Sequence, residues 1–168
     1  DTALLAEMMP RVLRAAAYLD SLRHERRTPE YEAEEKREFY GLLPPSISHE
    51  GYSAKPMHSY WDDFWALRGF KDAAFLAHVS GLTQDAARLD AIRAEFAEDL
   101  TASVAATMRR HGIDYVAGCA DLGDFDATST TIAFARTDAA AILDPQALER
   151  TFERPDQLEV ELEQPPVM

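Results

Sequence analysis

Apolar residues recur at helical spacing through Thr2–His24, where Leu5, Met8, Met9, Val12, Leu13, Ala16, Leu19 and Leu22 form one stripe. Arg11, Arg14, Asp20 and Arg23 fall on the side expected to face water. Pro10 interrupts the pattern and predicts either a kink or a restart after Met9. Residues 30–38 are helix-prone and almost wholly charged, the pattern of a solvated connector. A second periodic segment runs over residues 60–80 and ends at Gly81, with Gly69 inside it. Thr83 is placed to cap the longest helix, residues 84–111, in which Ile92, Phe96, Leu100, Val104 and Met108 repeat every four positions before Gly112. Short helices are expected at 128–135 and 138–143, and Asp144-Pro145 opens another through Phe152. No segment alternates as a strand does. The pattern predicts an all-α fold of antiparallel helical hairpins over residues 1–152. The stretch 153–168 is acidic, contains proline and lacks periodicity, so regular structure is not expected there.

Two irregular segments break this pattern. Residues 41–60 hold three prolines and two glycines, yet also Leu42, Leu43, Ile47, Tyr52, Met57 and Tyr60. A loop of about 20 residues with that much material to pack reads as ordered and functional. Residues 118–128 form the second, carrying Asp121, Asp124 and Asp126.

Composition narrows the chemistry. The chain has 168 residues, with 17 basic against 30 acidic side chains and a formal charge of −13. Such a surface repels phosphate backbones and anionic lipid, so neither nucleic acid nor membrane is an expected partner. No apolar run approaches the roughly 20 residues that span a bilayer. The single cysteine, Cys119, excludes a disulfide framework and reads as a small buried apolar residue. His24, His78 and His111 lie on predicted helices and read as surface or packing residues.

The candidate chemistry sits in the two loops. Tyr60, Trp61 and Trp65 offer aromatic faces for the apolar side of a pyranose, and His49, Glu50, His58, Asp62 and Asp63 offer groups that hydrogen-bond hydroxyls. If Trp61 begins a helix, Asp62 and Asp63 occupy its first turn. A structural alternative makes Trp61, Phe64, Trp65 and Phe70 core and the two aspartates ordinary helix-start residues. A metal alternative would use His49, Glu50, His58 and Asp62, but their spacing matches no strong metal motif, and no cofactor is expected. In the second loop, Asp126 or Thr128 serves as an N-cap, which leaves Asp124 over.

Gly41-Leu42-Leu43-Pro44, the run His58-Ser59-Tyr60-Trp61-Asp62-Asp63-Phe64-Trp65-Ala66-Leu67, and Gly123-Asp124-Phe125-Asp126-Ala127-Thr128-Ser129 together resemble the six-hairpin glycosidases. These are (α/α)6-toroid enzymes that include trehalases, glucoamylases, rhamnosidases and processing glucosidases, and the likeness is greatest to large bacterial members. The resemblance implies cleavage of a glycosidic bond by inversion, with Asp62 as general acid and Asp63 as the alternative one register away. It further implies a stacking wall of Tyr60, Trp61 and Trp65, with His49, Glu50, His58, Asp124 and Asp126 holding sugar hydroxyls. At ~1.5 Å rise per helical residue the chain supplies about two to three hairpins. Inversion also needs a second carboxylate about 6.5–9.5 Å from the first, and Glu159, Glu161 and Glu163 in the tail do not resemble it. The resemblance therefore implies part of a larger catalytic domain, inactive alone, with exposed inner-face helices able to self-associate. The contrasting reading is a non-catalytic helical module that binds carbohydrate or another protein through the aromatic loop.

Overall fold

The computed structural model describes residues 2–47 and 55–153. His49, Glu50 and the acidic tail from residue 154 lie outside the described residues.

The fold is mostly helical. Its elements are α1 (Thr2–His24), α2 (Pro29–Glu32), a 3₁₀ segment (Glu34–Phe39), α3 (Tyr60–Val79), α4 (Thr83–His111), α5 (Ala127–Ala135), a second 3₁₀ segment (Ala139–Ile142) and α6 (Pro145–Phe152). Among the described residues β pairing is confined to isolated antiparallel bridges. None of the described helices is long and apolar enough to cross a membrane.

The α3–α4 hairpin is the centre of the molecule. Phe64, Leu67, Phe70 and Ala77 of α3 pack against Ala86, Leu89, Phe96 and Leu100 of α4, all of them essentially inaccessible. Phe70 meets Phe96 edge to face, with ring centroids 5.9 Å apart. Each such large side chain contributes roughly 1.5–3 kcal/mol by leaving water. The connection is tight because Gly81 takes φ +74°. Its N–H reaches the carbonyl of His78 while that of Leu82 reaches Ala77, which closes the end of α3. Leu82, rather than Thr83, stands at the N-cap position of α4, and no side chain caps it.

Helix α1 runs unbroken through Pro10. It buries only Met9, Ala16 and Arg23, so the predicted stripe touches the core along a narrow seam. Arg23 is the main correction here: expected to face water, it is fully buried. Its guanidinium is paired with Asp20, Glu95 and Asp99, and Arg27 joins Glu95 and Asp99 beside it. The ion network fastens the end of α1 to α4. The charged connector is also less solvated than its composition implies, since Glu38 is buried and paired with Arg110 of α4 at 3.0 Å.

Because α3 and α4 are antiparallel, the start of α3 and the end of α4 share one pole. Both irregular segments therefore meet there. Ser59 pairs with Cys119 in an antiparallel bridge; Tyr60 N–H donates to Gly118 O, and Ala120 N–H to His58 O, both at 3.0 Å. Cys119 is buried in this joint.

Candidate functional site

The pole where the loops pair carries most of the residues singled out from the sequence, in unequal circumstances. Asp62 and Asp63, adjacent in the first turn of α3, point to different places. Asp62 accepts a short hydrogen bond from the Ser46 hydroxyl and lines a hollow of about 500 Å³. Leu19 and Leu22 of α1 form one side of that hollow, Pro44, Pro45 and Ser46 its rim, and Trp65 another wall. Asp62 is the one carboxylate among the described lining residues. Asp63 is turned inward, 1% exposed, and accepts the Leu43 N–H at 3.0 Å. Burial pushes its carboxyl well above the ordinary carboxylate range and the Asp62 charge adds to this, against the Leu43 N–H and Arg26. The two side chains together pin the Leu43–Ser46 rim to the start of α3.

The aromatic residues also divide. Trp65 is 41% exposed, and Trp61 is half-buried against its edge with centroids 6.5 Å apart. Tyr60 is a core residue and not part of any stacking wall. It is fully buried, and its hydroxyl lies 2.9 Å from Ser103 Oγ and 2.8 Å from Thr107 Oγ1. Its backbone N–H is also committed, to the carbonyl of Gly118. Phe64 and Phe70 are core as well.

The acidic residues of the second loop shape backbone. Asp124 accepts the Cys119 N–H at 3.1 Å while its own carbonyl accepts the Gly118 N–H, so it organises the turn between them. Asp126 is the N-cap of α5, taking the Ser129 N–H at 3.0 Å and the Ser129 hydroxyl. Neither is among the residues lining the hollow.

His58 joins the two loops through Asp121, an acidic residue of the second loop to which the sequence assigns no role. Its backbone N–H donates to Asp121 at 2.6 Å, and its Nδ1 lies 3.2 and 3.3 Å from the two Asp121 oxygens. Arg26 Nε donates to His58 Nε2 at 3.1 Å, and the ring lies tilted against Phe39 with centroids 4.5 Å apart. Desolvation works to raise the Asp121 carboxyl, but the hydrogen bonds from His58 outweigh it and hold the group below the usual range. Nothing in the sequence marks Asp121 above its neighbours; only pairing of the loops selects it. Among the described residues no group of three or more His, Cys, Asp or Glu side chains is gathered closely enough to hold a metal ion.

No protein-family model, curated protein or solved structure matches the chain.

Proposed function

We propose that this chain contributes the acid-bearing wall of a carbohydrate-binding cleft, as part of a six-hairpin, (α/α)6-type glycoside hydrolase domain. The observation that carries the reading is the single hollow shared by the Asp62 carboxylate and the Trp65 ring, both presented by the first two turns of α3. A pyranose needs an apolar face to stack on and a carboxylate to accept its hydroxyls, and these two side chains supply both within one volume. In this reading the Ser46 hydroxyl on Asp62 stands where a substrate hydroxyl binds. Asp62 is the general acid, because Asp63 is enclosed and engaged by Leu43. Asp63 positions the rim.

Hydrolysis needs a second carboxylate at a defined distance across the scissile bond, and the described residues lining the hollow hold only one. The isolated chain is therefore expected to bind sugar without turning it over. Titration of the 168-residue chain with α-linked di- and trisaccharides of glucose and rhamnose, followed by tryptophan fluorescence, tests this. A saturable change is expected, abolished by Trp65→Ala and weakened about tenfold, roughly 1.4 kcal/mol, by Asp62→Asn. Binding that both variants leave intact, or no binding by any saccharide, would defeat the proposal. A second reading is favoured by the predominance of Leu19, Leu22, Leu43, Pro44, Pro45 and Ala66 in the lining. Apolar walls of this kind also accept a partner protein's aliphatic side chain, and partner binding lost with Trp65→Ala but blind to saccharides would select it.

A further inference from the structure

His58 sits where four pieces of chain meet: the segment following α1, the first 3₁₀ segment, the turn into α3 and the loop after α4. Its two ring nitrogens face partners of opposite chemistry. A guanidinium has no lone pair to offer and stays charged, so in the contact between Arg26 Nε and His58 Nε2 at 3.1 Å the arginine donates. His58 Nε2 then carries no proton. On the other side, Nδ1 faces the Asp121 oxygens at 3.2 and 3.3 Å, and an ionised carboxylate only accepts. Nδ1 then carries the ring's proton. One imidazole satisfies both partners only as the neutral Nδ1–H tautomer.

We infer that His58 is a proton-operated latch: as the neutral Nδ1–H form it ties the end of α1 to the paired loops, and protonation at Nε2 releases Arg26. A proton there sets N–H against N–H and places two cations in contact, while the Asp121 bond survives. Among the described residues, the charged groups that bear on the latch are Arg26 and Asp121 directly. Behind them are Glu25, 3.6 Å from Arg26 Nη1, and Asp63 of α3, whose carboxyl feels the Arg26 charge. Phe39 covers the ring without charge. Glu25 gives the released guanidinium an alternative partner. The carbonyl of Arg26 also accepts the Gly41 N–H at 3.4 Å, so movement of this residue is felt at the chain entering the Leu43–Ser46 rim. The inference stands on hydrogen-bond direction and does not rest on the carbohydrate reading.

Long-range 1H–15N correlation spectra of the intact labelled chain at about pH 7.5 test the tautomer directly. The expected result is a proton on His58 Nδ1, a bare Nε2, and a protected Arg26 Nε–H resonance. The spectra are then followed on acidification until an Nε2–H signal marks the doubly protonated ring. That step should abolish the Arg26 protection and shift the amides of Arg26, Arg27 and Gly41. In His58→Gln, whose amide donates and accepts without titrating, the Arg26 Nε–H should stay protected on acidification. An Nε2–H tautomer at the higher pH, an Arg26 resonance indifferent to ring protonation, or loss of Arg26 protection on acidification in the Gln variant would each overturn the latch. The tautomer is read from the unmodified chain and needs no variant to fold.

Discussion

Tyr60 shows how a residue chosen for its chemistry is claimed by packing. The hydroxyl of Ser103 donates to the carbonyl of Glu38, so Ser103 Oγ must accept from Tyr60, and Tyr60 in turn accepts from Thr107. This relay runs between α3, α4 and the charged connector. Tyr60→Phe breaks it and leaves buried hydroxyls unmatched, at a cost of about 1–3 kcal/mol in urea denaturation; a neutral result would deny the relay. Asp63 offers a pH test. Its folded carboxyl titrates above the unfolded one, so from about pH 4 upward the native state holds more protons than the unfolded chain. Its contribution to stability is therefore present at low pH and is lost as pH rises through the folded value. Asp63→Asn has no such penalty, and its stability relative to wild type should improve as the pH rises from about 4 towards the folded value. A flat or reversed difference would show that the carboxyl stays ionised in the fold.

At the scale of elements, periodicity located the helices well and their contacts less well. The ends of α1, α3 and α4 fall within a residue of the sequence expectation because glycine and polar punctuation are local signals. The pattern alone assigns Arg23 to water, because one arginine among others on a helix carries no mark of its partners. What buries it is the approach of Glu95 and Asp99 from α4, 72 and 76 residues along the chain. Desolvation works to raise the Glu95 carboxyl, but Arg27 and Arg23 outweigh it and draw it down to about 2. Arg23→Ala leaves Glu95 and Asp99 to Arg27 alone and removes a fully buried side chain, and thermal or urea unfolding should register a loss of about 1–3 kcal/mol. Gly41 belongs to the same junction. It adopts φ +71°, and a Cβ there would lie 2.3 Å from Asp99 Oδ2. Gly41→Ala combines a left-handed backbone cost of about 1–2 kcal/mol with that clash. It should be more damaging than Gly81→Ala, where the conformation is similar but space is open.

For the whole molecule, burial is uneven. Helix α3 buries nine of its 20 residues, whereas α1 buries three of 23. Native-state hydrogen exchange should accordingly find the slowest amides in the centre of α3 and α4, and faster opening in the first half of α1. Equal protection throughout would mean that α1 is held by more than its seam and its terminal ion network. The all-helical character and the hairpin at Gly81 are legible from the chain, since each depends on spacing or on a residue's own backbone preferences, while the N-cap of α5 is legible only as Asp126 or Thr128 and the structure selects Asp126. Which carboxylates face the hollow is not legible. A side chain's direction in the first turn of α3 depends on what the rim and α1 place beside it, so neighbours in sequence, Asp62 and Asp63, acquire opposite environments. Asp121 gained its partner only because antiparallel packing of α3 and α4 brought two distant loops to one pole. Sequence alone determined the elements and where they stop, because those are short-range balances of propensity and solvation. Tertiary structure alone decided which polar groups meet, because that depends on contacts between segments far apart in the chain.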